Sequence, residues 1–550
     1  MGLFRVFSLA LIVAAVAAAD VDVGEGTDAA AWEQLPPSGP ASSTTGSVVA
    51  LCGLLSATSS PSDGAADAAA EGAVGTFQRG ATGWEHTQTL GASDGLFGAS
   101  LACSFDATAG ALLAVGAPNA QAQAGGEAQG ALHVYVAAGG CGAALSSPRC
   151  VWQPAQRLTP PADAPHGAAF GWSAAASFVG GGGGGSHTLA AGAPFGGTDG
   201  GGAVFVYTAA RVQVLVLPAG ADDDSRASAR FGWALALAAE GDTLLAGAPG
   251  AAGGVGRVAV FKRQPAADAA WLLDQLLSPT PGGSDSVHPL EFGWAIAAAA
   301  MAVVVGAPGS TVRGCEGVGA AVVYVRRGWG EEGGYLEARV TAVAREGGGD
   351  SARLGAAVAV ADNIALIGSA ARSAAAPWGG RRSNVPDALS ELAAPTPGVI
   401  VFTRDFAAAP DGDDFFSPWR LAVRLVTPRH ALGAVPAVAR ANASDGAFGA
   451  ALAVDGAIAI VGAPRTHSAD AGGASRAGAA FALSLDWAIV RAMGGELPLL
   501  NEGGAGDGLI ARDGEGDSVG TPAPAHAPLF FALCAPAYLA PTRRHPSACD

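Results

Sequence analysis

The sequence predicts an all-β protein, a seven-bladed β-propeller with four antiparallel strands in each blade. A Phe-Gly dyad, with Leu in place of Phe in one unit, recurs along the chain, and three successive intervals between dyads are 61, 61 and 62 residues. Each dyad is followed by a Gly-Ala-Pro or Gly-Ser-Ala triplet and then by stretches rich in β-branched and aromatic residues. Such a period indicates a repeat architecture, and four short strands per unit around a ring are typical of a propeller.

The dyad and the triplet mark the first two strands of each unit. The dyads begin at Phe97, Phe170, Phe231, Phe292, Leu354 and Phe448. The triplets begin at Gly116, Gly192, Gly247, Gly306, Gly368 and Gly462. The shortest spacing from dyad to triplet is 14 residues, found in three units, and longer spacings are extended at one place, as by the glycine run 180–185. Extension at a single point predicts a hairpin loop between two strands.

A third strand, such as Gly256–Lys262, is followed by a fourth strand that begins with tryptophan. The fourth strands begin at Trp84, Trp152, Trp271 and Trp419, with Leu six residues later in all four and Gln four residues later in three. Because side chains alternate along a strand, these even offsets predict that Trp, Gln and Leu share one face.

A degenerate first unit brings the number of blades to seven. Thr45–Ser60 keeps the strand order without the triplet, so the units are expected to start near residues 46, 97, 170, 231, 292, 354 and 448 of a propeller spanning 46–486. Two segments compete to complete the last blade: Ala30–Pro37, within the N-terminal segment 20–45, and Trp487–Met493. We favour the N-terminal segment, because sealing the ring with strands from both ends avoids an open sheet edge.

From Gly46 to Leu485 these units resemble FG-GAP repeats, which build the N-terminal propeller of integrin alpha chains and occur in many secreted microbial and algal proteins. The resemblance implies a seven-bladed propeller on an extracellular protein, used for adhesion or ligand binding. Integrin-type repeats often carry a calcium loop, D-x-[DN]-x-D-G, between dyad and triplet. The loops of this chain, such as "AAEGDT" and "AVDGAI", hold at most two acidic residues. Calcium needs six or more oxygen ligands, so we expect neither calcium nor another cofactor.

Both ends of the chain differ from the repeats. Residues 1–19 have the pattern of a secretory signal peptide, with Arg5 before the apolar stretch Val6–Val16 and small residues up to Ala19. The alternative is an N-terminal membrane anchor, for which the apolar run is short. Residues 487–550 are rich in Gly, Ala and Pro, and we expect a flexible tail. Once the signal is removed we expect no membrane span, and a location outside the cell or on its surface.

Cysteines and one asparagine suggest covalent modification. Cys141 lies near Cys150, and Cys534 lies near Cys549. In an oxidising compartment both pairs are candidate disulfides, with free thiols as the alternative. Asn442 opens an Asn-Ala-Ser acceptor for N-glycosylation.

Several classes of function are disfavoured by the composition. The net charge of −17 argues against a nucleic-acid partner. Lys262 is the only lysine, which excludes a Walker-type phosphate loop and disfavours Schiff-base chemistry. The nine histidines show no metal-ligand spacing. Ser93 formally fits a G-x-S-x-G motif, but it lies in the turn before Phe97 and not between a strand and a helix.

The functional residues are expected in loops that differ between units. In an up-and-down blade, the loops between second and third strands share one face of the ring with the loops that lead to the next blade. The segments after each triplet vary most in sequence, and variable loops on a fixed scaffold often carry function. The candidate binding residues are Arg313, Glu316, Trp378, Arg381, Arg382, Arg465 and His467. Three tryptophans that directly follow a dyad glycine are interpreted as structural: Trp172, Trp233 and Trp294.

We therefore expect a secreted or cell-surface binding or adhesion module, without enzymatic activity, whose partner is an extracellular protein or a glycan. One alternative is a structural extracellular component with no discrete ligand. Another is a secreted hydrolase or lyase with its site in the central channel, which would require His, Asp, Glu or Lys side chains converging at the axis.

Overall fold

The computed structural model is all-β. It describes residues 32–36, 45–61, 72–107, 109–121, 128–138, 140–161, 169–179, 185–197, 200–208, 211–217, 228–238, 241–264, 270–279, 287–312, 316–326, 335–338, 353–361, 364–369, 398–404, 419–425, 447–464 and 478–485. These residues form strands and turns, with a short 3₁₀ turn at Ala252–Gly254. The predicted signal peptide, the tail 487–550, Asn442, Cys534 and Cys549 lie outside them.

Seven four-stranded antiparallel sheets follow one another along the chain, and each is one blade. Blade 1 is β2 (Val48–Cys52), β3 (Leu55–Ser60), β4 (Gly72–Gly80) and β5 (Gly83–Ala92). Blade 2 is β6 (Ser100–Asp106), β7 (Gly110–Ala117), β8 (Ala131–Ala137) and β9 (Gln153–Leu158). Blade 3 is β10 (Ser173–Val179), β11 (Ser186–Ala193), β12 (Ala203–Tyr207) and β13 (Val212–Leu215). Blade 4 is β14 (Leu235–Leu237), β15 (Thr243–Ala248), β16 (Arg257–Arg263) and β17 (Trp271–Leu277).

The remaining blades repeat this order. Blade 5 is β19 (Ala295–Ala298), β20 (Ala302–Ala307), β22 (Ala320–Arg326) and β23 (Tyr335–Ala338), and beside it β18 (Val287–His288) pairs with β21 (Thr311–Val312). Blade 6 is β24 (Leu354–Ala361), β25 (Ile364–Ser369), β26 (Val399–Arg404) and β27 (Trp419–Leu425). Blade 7 is β28 (Ala451–Asp455), β29 (Ile458–Ala463), β30 (Ala479–Ser484) and β1 (Trp32–Gln34). The first strands of neighbouring blades contact each other, including β2 with β28, so the ring is closed. The predicted seven-bladed β-propeller is confirmed.

The N-terminal strand β1 completes blade 7. It pairs antiparallel with β30, and Glu33 lies opposite Ala482. The carboxylate of Glu33 then accepts a hydrogen bond from the backbone N–H of Trp84 in blade 1, at 2.6 Å. This strand therefore joins the first and last blades both by a β-ladder and by a side-chain contact. The competing segment 487–493 lies outside the described residues.

Among the described residues, the core consists of seven clusters of buried side chains, and each cluster combines side chains of two neighbouring blades. A single blade therefore has no core of its own. Its apolar faces become buried only when the next blade packs on it, as expected for a repeat architecture.

The repeated glycines allow the blades to approach each other. The N–H of Gly232 in the dyad donates to the carbonyl oxygen of Gly247 in the triplet of the same blade, at 2.9 Å. A Cβ on Gly247 would collide with the carbonyl oxygen of the next dyad glycine, Gly293. The same relation between triplet and following dyad holds for Gly116 and Gly171, Gly192 and Gly232, Gly306 and Gly355, and Gly368 and Gly449, and it also holds for Gly462 and Gly46, which takes the place of the dyad glycine in blade 1. The dyad glycines also have left-handed φ, as with 87° at Gly232, which glycine adopts without steric cost.

The prediction that Trp and Leu of the fourth strand share one face is wrong, because each of these strands with described side chains contains a β-bulge. In blade 4 the register shifts between Val260 and Phe261, so one extra residue of β17 separates Trp271 from Leu277. Trp271 packs between blades 3 and 4, whereas Leu277 packs between blades 4 and 5. The bulge reverses the alternation of side chains. Blades 1 and 2 show the same shift and the same division.

Glutamine side chains tie outer strands to the next blade. Gln213, on β13, accepts a hydrogen bond from the N–H of Trp271 and donates one to its carbonyl oxygen, both at 2.9 Å. Gln88, on β5, makes the same two bonds to Trp152, at 3.0 and 3.2 Å. These bonds satisfy backbone groups at the outer edge of a sheet, where no further strand can pair with them.

Two disulfides lie among the residues that the structure describes. Cys141 and Cys150 form the loop disulfide, between β8 and β9, with a Cα–Cα distance of 5.3 Å. Cys52 and Cys103 form the inter-blade disulfide, which joins β2 of blade 1 to β6 of blade 2 with a Cα–Cα distance of 5.7 Å. The loop disulfide was expected from its short spacing. The inter-blade disulfide was not expected, although Cys52 lies at the end of the first strand of blade 1 and Cys103 lies within the first strand of blade 2.

No helix in the part of the chain described here is long and apolar enough to cross a membrane.

Candidate binding face

Of the seven candidate binding residues, the structure describes Glu316. It is exposed in a turn between β21 and β22, and the carbonyl oxygen of its neighbour Gly317 accepts a hydrogen bond from the N–H of Arg353, at 3.0 Å. The other six lie outside the described residues: Arg313, Trp378, Arg381, Arg382, Arg465 and His467. Their role in binding stays a prediction.

Three tryptophans form a row on the face to which Glu316 belongs. Trp172, Trp233 and Trp294 each follow a dyad glycine and lie one or two residues before the first strand of blades 3, 4 and 5. This end of the first strand lies on the face shared by the loops after the triplets and the loops between blades. We call these three side chains the tryptophan row.

The indole rings of the tryptophan row contact each other from blade to blade. The ring centroids of Trp172 and Trp233 lie 4.7 Å apart at an interplanar angle of 48°, and those of Trp233 and Trp294 lie 4.7 Å apart at 47°. All three side chains are only partly buried. The interpretation of these residues as purely structural is therefore incomplete, because they leave an aromatic surface accessible at the ring face.

An exposed phenylalanine lies beside two rings of the row. Phe195, directly after the triplet of blade 3, is 44% exposed. Its ring meets that of Trp172 edge-on, with centroids 5.4 Å apart, and lies 6.3 Å from that of Trp233. Large apolar side chains exposed together on a soluble protein often mark an interaction site.

Two arginines lie over the row. The guanidinium carbon of Arg230 is 5.4 Å from the ring centroid of Trp233, and that of Arg353 is 5.0 Å from the ring centroid of Trp294. Both distances suit cation–π contacts. Arg353 also donates to the carboxylate of Glu291, at 2.9 Å. Both arginines directly precede a dyad, where the backbone has left-handed φ of 55° and 48°, respectively.

The row covers only part of the ring. The residues that follow the dyad glycine in the other blades are small: Ser47, Ala99, Ala356 and Ala450. The repeated scaffold thus carries bulky rings in three adjacent blades and none in the other four. The sequence signal was this one repeat position, occupied by Trp in three consecutive units. This signal indicates that the indoles are neighbours only once the units are arranged as adjacent blades of the propeller.

Besides the tryptophan row, a cluster of polar side chains lies on the same face, at blade 2. The carboxylate of Asp94 contacts the Nε2 atom of His133 at 2.6 Å and accepts a hydrogen bond from the Nε atom of Arg157 at 2.8 Å. Burial lowers the pKa of His133, although the Asp94 carboxylate acts in the opposite direction. Burial opposes ionisation of Asp94, but hydrogen bonds from Arg157 and His133 hold its pKa below the usual value. The cluster ties the loop before blade 2 to the third and fourth strands of that blade.

The neighbouring Ser93 lies in a turn, as expected. The N–H of Phe97 donates to the carbonyl oxygen of Asp94 at 3.1 Å, which closes this turn before the dyad. In the described part of the chain, no group of three or more His, Cys, Asp and Glu side chains is arranged to hold a metal ion.

Acidic side chains of the first strands take part in turns on the opposite face. Asp106 accepts a hydrogen bond from the N–H of Ala109, at 2.8 Å, and Asp455 accepts one from the N–H of Gly53, at 2.6 Å. Asp106, at the end of β6, stabilises the β6–β7 hairpin of its own blade, whereas Asp455, at the end of β28 in blade 7, bonds to the β2–β3 turn of blade 1 and so joins these two blades.

The comparisons with known proteins give no family. No protein-family model matches the chain, and no curated protein matches it in sequence. The resemblance to FG-GAP repeats therefore rests on the sequence motifs. Among solved structures, the chain is similar to Sqt1 from Chaetomium thermophilum, with 13% identity over 78% of this chain and 84% of that one and a TM-score of 0.37. It is similar to the Cps50 (Swd1) β-propeller domain of Myceliophteria thermophila, with 11% identity over 76% and 92% and a TM-score of 0.39. It is also similar to the periplasmic gluconolactonase PpgL of Pseudomonas aeruginosa, with 13% identity over 73% and 90% and a TM-score of 0.37.

Proposed function

We propose that this chain is a secreted or cell-surface binding module without enzymatic activity, and that it binds an extracellular protein or glycan through the face that carries the tryptophan row. The observation that supports this most strongly is the row itself. Trp172, Trp233 and Trp294 stay partly exposed beside the exposed Phe195. Aromatic side chains in such a cluster are the residues that most often dominate binding energy.

Two further observations agree with the proposal. The disulfides at Cys52–Cys103 and Cys141–Cys150 suit an oxidising compartment, where such bonds form and persist. The first strands around the axis contain mainly Ala, Val, Leu and Ser, and the acidic side chains Asp106 and Asp455 accept hydrogen bonds from backbone N–H groups. A channel-centred hydrolase would instead need converging acids, bases or nucleophiles.

The proposal is tested by a binding screen of the full chain against immobilised glycans and extracellular proteins. The variant carries Trp172→Ala, Trp233→Ala and Trp294→Ala together, and the control carries Leu272→Ala, an apolar side chain 53% exposed on the outer strand of blade 4. We expect at least one partner that binds the wild-type chain and the control, and that binds the triple variant about 30-fold or more weakly.

Three results would contradict the proposal. One is the absence of any partner, which would favour a purely structural role. Another is equal binding by the wild-type chain and a folded triple variant. The third is turnover of a substrate from a panel of glycosides, esters and lactones.

A further inference from the structure

The tryptophan row also indicates the chemical class of its partner. This inference rests on the proposed function and specifies the ligand of the same face. It uses the accessible parts of the indoles, the groups that already occupy the ring faces, and the charges beside them.

The chain's own arginines already occupy cation positions over the row. Arg230 lies over Trp233 and Arg353 lies over Trp294. A cationic ligand on the same rings would meet these guanidinium groups and be repelled by them. The row is therefore poorly suited to a lysine, arginine or quaternary ammonium group of a partner.

The indole N–H groups favour a ligand that can accept hydrogen bonds. In the described part of the chain, Trp233 and Trp294 make ring contacts but no hydrogen bond through the indole nitrogen. A partly exposed indole offers an apolar ring and one donor. A sugar matches both, since it presents C–H groups to the ring and hydroxyl or ring oxygens to the N–H.

The charges at the row favour an acidic sugar. The carboxylate of Glu291 neutralises Arg353, at 2.9 Å. Arg230 is exposed, and no carboxylate of the described residues lies within ion-pair distance of it. A guanidinium group can pair in bidentate fashion with a carboxylate or a sulfate. The net charge of −17 belongs to the whole chain, and physiological salt largely screens exposed charges that lie more than about 8 Å from the row.

We propose that the tryptophan row binds an acidic glycan, with sugar rings against those parts of the three indoles that Arg230, Arg353 and the neighbouring rings leave accessible, and with the carboxylate or sulfate of the sugar paired with Arg230. Trp172 and Phe195 extend the apolar surface along the glycan chain. The ring face thus recognises the sugar ring and its acid group through different side chains, which can be altered one at a time.

Calorimetric titrations of the full chain separate these contributions. The probes are polygalacturonate and its methyl-esterified form, and dextran sulfate and unmodified dextran. In each pair the sugar backbone is kept and the charge is changed. The variants are Trp233→Ala and Arg230→Gln. The control is Arg79→Gln, at the start of the β4–β5 hairpin on the opposite face. Thermal melts establish that each variant is folded.

We expect the wild-type chain and the Arg79→Gln control to bind at least one acidic probe more tightly than its neutral partner. Trp233→Ala should weaken binding of that acidic probe about 30-fold. Arg230→Gln should weaken it about tenfold and reduce the difference between the acidic and neutral probes.

Different outcomes overturn different parts of the account. Equal binding of charged and neutral probes, or a folded Arg230→Gln variant with unchanged affinity, overturns the acidic specificity. Binding of proteins but no glycan through Trp233 overturns the glycan proposal and leaves the proposed function intact. A binding site insensitive to the whole row overturns both.

Discussion

Removal of the Gln213 side chain should measure how much the hydrogen bonds between the outer strands of neighbouring blades contribute to the free energy of unfolding. Gln213 makes two hydrogen bonds to the backbone of Trp271 in the next blade, both at 2.9 Å. Gln213→Ala deletes both bonds and leaves the N–H and carbonyl groups of Trp271 without these partners. One hydrogen bond contributes about 0.5–1.5 kcal/mol net, so we expect the free energy of unfolding to fall by about 1–3 kcal/mol.

The expected shift in melting temperature is small because the ring is large. An unfolding entropy of about 2.1 cal/mol/K per residue gives ~0.9 kcal/mol/K for a propeller of about 450 residues that unfolds as one unit. The midpoint should therefore fall by about 1–3 °C. Urea denaturation followed by tryptophan fluorescence measures the same loss as a change in free energy.

Two matched variants show whether the loss comes from these bonds. Gln213→Glu keeps an acceptor for the N–H of Trp271 but loses the amide donor, so its stability should lie between those of the wild-type chain and Gln213→Ala. Gln153→Ala removes an exposed glutamine from β9 and should change stability by less than about 0.5 kcal/mol. Equal stability of Gln213→Ala and Gln153→Ala would refute the reasoning.

Three other predictions concern the blade contacts, the disulfides and the response to acid. Gly247→Ala should cost more than about 2 kcal/mol in unfolding free energy, because its Cβ collides with a carbonyl of the next blade; Gly80→Ala, with only ordinary contacts, is the control. Replacing Cys52 and Cys103 by alanine should cost about 4 kcal/mol for a separation of 51 residues, against about 2.5 kcal/mol for the loop disulfide with a separation of 9; equal losses in urea denaturation would contradict this. Burial lowers the pKa of His133 in the folded chain, so as the pH falls below 6.5 this imidazole becomes protonated in the unfolded chain before it does in the folded chain. The melting temperature should therefore fall from about pH 7 to about pH 5, and the fall should be smaller in His133→Gln; an identical pH profile would count against this role.

The architecture could be predicted because the repeat constrains backbone packing. At Gly247 and its counterparts a Cβ would collide with the backbone of the next blade, so glycine is required there. The dyad and the triplet are therefore present in nearly every unit, and their spacing gives the period of the repeat. The orientation of Trp271 relative to Leu277 could not be predicted, because the bulge between them is a property of strand pairing that spacing alone does not show.

The candidate site was harder to predict because its residues come from different blades. Each of Trp172, Trp233 and Trp294 looks structural within its own unit, and their contact arises only when blades 3, 4 and 5 stand side by side. The inter-blade disulfide escaped sequence analysis for the same reason. Its cysteines are 51 residues apart in the chain but lie in neighbouring first strands.

Accessibility of the tryptophan row in the presence of ligand tests the central claim most directly. Acrylamide quenching of tryptophan fluorescence is measured for the wild-type chain and for the variant with alanine at Trp172, Trp233 and Trp294, each with and without the tightest ligand of the binding screen. We predict that the ligand reduces quenching in the wild-type chain and has no effect on quenching in the triple variant. Undiminished quenching in the saturated wild-type chain, or equal protection in the triple variant, would place the binding site elsewhere on the propeller.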